Sequence, residues 1–340
     1  IGYGLKDKLL FSESIKYLEQ MQQPFYAKYI TVTNHIPFSM DKEDLDPKFK
    51  TTNTRDETIN NYFQTAHYLD EAVHEFFNYL KASGLYKNTM VVIYGDHYGL
   101  SNSENETLAP VIGESSDTWN SYNNVQMQRV PFMIHAANLK GGINSEVAGE
   151  IDVLPTLMHL LGISNKNYVQ FGSDLLSPQY KDWIVFRNGT IVSKRYIIIG
   201  NKGIKGVVYD RITGKQIINF TPEEKREIEK LSIEARQSLK YSDLLNNHNL
   251  LRFYTPHGFI PTAPSEFDYL TNFEQMVKLR RQFGTNSSSL YSKRNSSTTN
   301  LYKTDAVELK NRREEITQIP KNVQSNQLTD KKEEKKNSNK

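Results

Sequence analysis

Met90-Val91-Val92-Ile93-Tyr94 is an unbroken apolar run that stops abruptly at Gly95-Asp96-His97-Tyr98-Gly99. A short continuous run of this kind predicts a strand buried on both faces of a parallel sheet, because one-sided burial would give alternation instead. Strands of that type need helical crossovers, so the run constrains the whole chain to an α/β architecture. The flanking residues agree. Phe25 to Thr33 is rich in β-branched and aromatic residues and predicts a strand ending at Asn34-His35-Ile36-Pro37. Residues 57–83 place Ile59, Tyr62, Phe63, Ala66, Leu69, Val73, Phe76, Phe77 and Leu80 at helical spacing, with Gly84 as the stop. Val130 to Ile134 predicts another strand, and residues 150–162 predict a helix with Pro155 near its first turn.

Texture divides the chain into three parts. Residues 1–180 read as the globular α/β part. Residues 181–272 read as a small antiparallel β subdomain with a helix. Its strands are expected at 183–186, 191–199, 206–209 and 216–220, and its helix at 222–244 behind the Thr221-Pro222-Glu223-Glu224 start signal. Residues 273–340 are rich in Asn, Ser, Thr, Lys, Arg and Glu, and are expected to be a disordered, charged tail. That tail lowers the mean hydropathy, which is −0.62.

Among 340 residues, 42 are Lys or Arg and 39 are Asp or Glu, for a net charge of +3. This balance gives no case for nucleic-acid binding. With no cysteine in the chain, disulfides and thiolate metal ligands are excluded. No apolar run reaches the ~18 residues of a membrane span. The opening Ile1-Gly2-Tyr3-Gly4-Leu5-Lys6-Asp7 has no initiation or targeting pattern and reads as the interior of a longer protein.

Three places carry chemistry. Asp96 and His97 follow the predicted strand at its carboxyl end, where open α/β sheets bind ligands. Together they offer a carboxylate oxygen and an imidazole nitrogen to a divalent cation. The plainer reading is a turn with a capping Asp and an incidental His. His35 ends the other predicted strand and is placed to contact a phosphate or donate a proton, or else to serve only as a loop residue. Arg129 precedes a strand and suits either phosphate pairing or an ion pair with Asp152 or Glu150. His67, His74 and His159 fall on predicted helices and read as surface or packing residues.

Gly95-Asp96-His97-Tyr98-Gly99, Gln128 to Ile134 and Glu150 to Leu157 resemble, in order, the second half of the sulfatase and alkaline-phosphatase superfamily. Within it, Tyr3 to Lys8, Thr33-Asn34-His35-x-Pro37-Phe38, Leu69 to Ala72, Ile93 to Gly99, Phe171 to Leu175 and Phe186-Arg187-Asn188-Gly189 resemble the lipoteichoic acid synthases more closely. The resemblance runs from about residue 2 to about 255.

It implies a mostly parallel sheet flanked by helices, in the C-terminal part of an extracellular catalytic domain. The implied protein is membrane-anchored in a Gram-positive bacterium, with release by proteolysis as a second location. The implied reaction takes glycerol phosphate from phosphatidylglycerol and adds it to polyglycerolphosphate on a glycolipid anchor, through a covalent threonine intermediate beside Mn²⁺, with Mg²⁺ as the alternative ion. Asp96 and His97 match two metal ligands, and His35 matches a substrate-contacting histidine. The implied nucleophilic threonine and ligand glutamate lie upstream of Tyr3, so this chain alone is expected to be inactive. Two further readings remain open: a primase adding only the first unit, and a secreted sulfatase or phosphodiesterase that transfers to water.

Overall fold

The computed structural model describes residues 4–164, 169–200, 202–250 and 268–310. The chain divides into two compact units, Ile1–Thr89 with Ala263–Lys340, and Met90–Thr262. This division falls elsewhere than the expected boundaries at 180 and 272.

In the first unit, helix α1 (Asp7–Leu18) packs on the long helix α2 (Glu57–Ser83). The α2 boundaries match the periodicity of the sequence. Asp56 caps the start by accepting from the Thr58 amide at 2.8 Å, and Gly84 ends the helix with a φ of 85° that suits glycine. The interface is aromatic: Phe11 stacks on Phe76 at 4.8 Å, and Tyr29 closes over both at 5.2 and 5.4 Å. Asp7 is fully buried at the start of α1, where its carboxylate accepts from the amides of Val32 and Thr33 at 2.9 and 3.3 Å. The segment 25–32 has no regular secondary structure and pairs with no strand among the described residues, with Tyr26 83% and Ile30 66% exposed. Its composition suits a strand, yet strand structure needs a hydrogen-bonding partner, and none lies beside it among the described residues.

The expected disorder from 273 onward is corrected for residues 273–310. Helix α7 (Tyr269–Phe283) and helix α8 (Leu290–Arg294) are ordered, and Leu290, Tyr302 and Ala306 are buried. The polar residues that suggested disorder are themselves hydrogen-bonded inside the unit. Thr298 is fully buried between Glu19 and the Tyr79 hydroxyl, and Gln22 accepts from the Ser288 amide at 2.8 Å. Residues 311–340 lie outside the described residues.

In the second unit, β1 (Val91–Tyr94) pairs antiparallel with β2 (Phe132–His135), with Val91 opposite His135 and Tyr94 opposite Phe132. The expected parallel sheet is therefore not formed among the described residues; an apolar run fixes strand character but not the direction of its partner. Short helices α3 (Asn105–Val111) and α4 (Ser121–Gln126) lie between these strands in sequence, and α5 (Val153–Leu160) follows. Asp152, buried at the entry to α5, accepts from the amides of Gly149 at 2.9 Å and Ser173 at 2.7 Å.

The expected antiparallel subdomain is present, with order β3 (Trp183–Val185), β4 (Ile191–Ser193), β5 (Tyr196–Ile198) and β6 (Val208–Asp210). Residues 216–220 contribute only an isolated bridge from Gln216 to Tyr209. Helix α6 (Pro222–Asn247) starts with a capping box between Thr221 and Glu224 and buries Ile228 and Ala235 against Ile191, Tyr196, Ile198 and Val208.

Candidate functional site

Asp96 and His97 stand at the carboxyl end of β1. Gly95 makes the turn: its amide donates to the Pro131 carbonyl at 3.1 Å, and a Cβ there would lie 2.8 Å from Cβ of Val130. Only glycine allows that approach without moving the neighbouring strand entry. The chain then projects both side chains to solvent, with Asp96 77% and His97 55% exposed. His97 Nε2 lies 3.7 Å from Asp96 Oδ1. His97 Nδ1 is 2.8 Å from the Tyr98 carbonyl oxygen. A carbonyl can only accept, so Nδ1 carries the proton of the neutral ring and the lone pair resides on Nε2. Fixing the tautomer through a carbonyl in this way is the usual support for a metal-binding imidazole. One hard oxygen and one imidazole nitrogen on neighbouring residues fit part of a divalent cation's ligand set.

His35 belongs to the first unit. Three anchors position its turn. Buried Thr33 accepts from the Asp7 amide at 3.0 Å, the Asn34 side chain accepts from Thr65 of α2 at 2.8 Å, and buried Phe38 packs edge-on against Tyr62 at 5.3 Å. The Phe38 amide also donates to the His35 carbonyl at 2.7 Å. Thus Thr33, Asn34 and Phe38 are structural, and His35 is the residue they present. Its Nδ1 lies 2.9 Å from the Ile36 carbonyl oxygen, which sets the same tautomer as in His97.

The other residues singled out in the sequence resolve individually. Arg129 is exposed, and the expected pairing with Asp152 does not form because amide donors take both Asp152 oxygens. Burial pushes the Asp152 carboxyl above its ordinary range despite those donors. Gly172 packs its Cα against the backbone of Ile151 and Asp152, which explains the glycine in Phe171-Gly172-Ser173. His159 pairs with Asp174 at 2.6 Å. His67, read from sequence as a surface or packing residue, stands between two carboxylates, Asp46 and Glu71. The His67–Glu71 spacing of four on one helix was the available signal.

A sulfatase family profile matches residues 2–163. Lipoteichoic acid synthase 2 of Bacillus subtilis (strain 168) is 44% identical over 274 residues, 80% of this chain and 40% of that protein. Residues 2–163 are a sulfatase-family domain. In solved structures, this chain is similar to the lipoteichoic acid synthase LtaP from Listeria monocytogenes, with a TM-score of 0.62, 26% identity and coverage of 75% of this chain and 62% of that one. A protein in the alkaline phosphatase superfamily from Vibrio parahaemolyticus shares the fold at a TM-score of 0.56 and 17% identity, covering 75% of this chain and 57% of that one. The superfamily architecture expected from the sequence is thereby borne out, although the sulfatase-family domain shows only an antiparallel strand pair among the described residues. The chain spans about 40% of the length of the curated relatives it matches.

Proposed function

We propose that the protein carrying this chain transfers glycerol phosphate from phosphatidylglycerol to a growing polyglycerolphosphate chain on a glycolipid anchor, releasing diacylglycerol. The observation that carries this reading is the exposed Asp96–His97 pair at the carboxyl end of β1, within a sulfatase-family domain similar to lipoteichoic acid synthases.

In this proposal Asp96 Oδ1 and His97 Nε2 hold Mn²⁺, or Mg²⁺ in its place, together with a threonine and a glutamate supplied before Tyr3. The bound ion supplies charge neutralisation and lowers the pKa of a coordinated hydroxyl. The Tyr98 carbonyl keeps the proton of His97 on Nδ1, which would leave the Nε2 lone pair available to hold the ion. His35 contacts a phosphate oxygen of the glycerol phosphate unit, from a turn held rigid by Thr33, Asn34 and Phe38. The threonine forms a covalent phosphoglycerol intermediate that the acceptor then discharges. The protein works outside the cell, anchored at the membrane. Among the described residues, no helix is long and apolar enough to cross a membrane.

Turnover of phosphatidylglycerol by the full-length protein with Mn²⁺ tests the reading, comparing wild type with Asp96→Ala and His97→Ala. Acceptor-dependent diacylglycerol release that falls at least ~100-fold in both variants is expected, since even supporting residues around a metal site cost 10–100-fold. Activity surviving both substitutions sinks the metal assignment. Addition of a single unit only would make the protein a primase, and release of free glycerol phosphate would make it a hydrolase.

A further inference from the structure

A second cluster of metal-ligating side chains lies in the first unit, apart in sequence from the Asp96–His97 pair. His67 and Glu71 sit four residues apart on α2, so both project from one helix face. Asp46, from the loop before α2, reaches the same point. His67 Nε2 lies 3.2 Å from Asp46 Oδ2 and 3.6 Å from Glu71 Oε1, and the three ligand atoms all fall within 4.8 Å of one another.

The spacing is informative. A charge-assisted hydrogen bond between imidazolium and carboxylate closes to about 2.7–2.9 Å. Two donors bound to one cation at roughly 2.0–2.2 Å, with an angle of 90–110° between them, stand roughly 2.8–3.6 Å apart. The 3.2 Å separation also suits an ordinary hydrogen bond between His67 and Asp46, the 3.6 Å separation from Glu71 does not, and both lie within the bridged range. The orientation of each group points the same way. Asp46 Oδ1 is held by the Lys48 amide at 2.9 Å, which turns Oδ2 toward His67. Glu71 Oε2 is held by Lys8 Nζ at 2.9 Å, which turns Oε1 toward His67. The His67 ring is fixed by face-to-face stacking on Phe49, 4.1 Å away and 6° from parallel. Partners that orient ligands in this manner are the outer shell a metal site needs. The three side chains are 25–32% exposed, so an ion can enter from solvent.

We propose that Asp46, His67 and Glu71 form a site for a divalent first-row cation of borderline softness, Zn²⁺ or Mn²⁺. The imidazole favours these ions over Ca²⁺ and Mg²⁺, whose preference is for all-oxygen ligand sets. Two carboxylates balance the ion's charge. The bound ion ties the loop carrying Asp46 and Phe49 to the middle of α2, and its role is structural.

The test is metal binding by isothermal titration of ZnCl₂ and MnCl₂ into the metal-stripped chain, with thermal melting alongside. The background is Asp96→Ala/His97→Ala, which removes the strand-end pair and separates this proposal from the functional reading above. That background is expected to bind one Zn²⁺ or Mn²⁺ and to gain roughly 3 °C or more in Tm on saturation. Adding His67→Gln is expected to weaken binding at least ~10-fold and to abolish the Tm gain. If that variant does not fold, Asp46→Asn, which alters only a loop residue, is read by the same criteria. Binding in the background weaker than about 1 mM would overturn the site and leave only the His67–Asp46 hydrogen bond in its place. So would binding that neither His67→Gln nor Asp46→Asn changes.

Discussion

Substituting Gly172 by alanine should break the connection between the loop 169–176 and the entry to α5. A Cβ built at this position overlaps the carbonyl group of Ile151 and lies 2.9 Å from the Asp152 amide nitrogen. Both are backbone atoms, which cannot swing aside like the end of a side chain. Inserting a methyl into a packed position costs about 1–3 kcal/mol, and the rigid neighbours here put the cost at the upper end. Relief requires the loop to lift, which stretches the 2.7 Å bond from the Ser173 amide to Asp152 and the 3.1 Å bond from the Leu175 amide to Thr156. Asp152 and Thr156 are both buried, so losing these partners adds about 1–2 kcal/mol. The expected destabilisation is about 3–5 kcal/mol in urea unfolding of the second unit's transition. Gly141→Ala is the control. Nothing lies within 4 Å of its added Cβ, and its stability should stay within about 0.5 kcal/mol of wild type. If Gly172→Ala were as mild as Gly141→Ala, the close approach of Gly172 to the 151–152 backbone would be refuted.

Two other expectations concern the first unit. Thr298→Val removes a hydroxyl bonded to Glu19 Oε2 at 3.0 Å and to the Tyr79 hydroxyl at 2.8 Å, so it should cost about 2 kcal/mol in urea unfolding. A neutral result would mean that residues 287–310 do not pack on α1 and α2. The Glu75 carboxyl is pushed up to about 7 by burial, beside Lys8, Tyr302 and Asp305. Its folded pKa exceeds the unfolded value, so its contribution to stability is full below the unfolded pKa of about 4.5 and is lost as pH rises through about 7. Unfolding free energy should therefore fall between pH 5 and 8 in wild type and fall less in Glu75→Gln; an equal fall in both would remove Glu75 as the cause.

The sequence by itself determined whatever depends on neighbours along the chain. The 57–83 helix is legible because its apolar spacing and its Gly84 stop are both local. The same holds for the Thr221–Glu224 capping box. The strand-end Asp96–His97 pair was legible because the Gly95 turn directly follows a strand. Tertiary structure decided what depends on partners distant in sequence. Residues 25–33 have strand composition, but strand formation awaits a second backbone, and no local pattern supplies one. The direction of the β1 pairing is likewise a property of β2, not of the run 91–94.

The serines and threonines of 287–298 look disordered by composition. They are ordered because Glu19, Gln22 and Tyr79, more than 200 residues away, offer matching hydrogen bonds. Asp46 joins His67 and Glu71 only because a loop folds back on α2, which no spacing along the chain announces. Periodicity and capping are short-range and are written into the sequence, whereas convergence of polar groups is long-range and exists only once the chain has closed on itself.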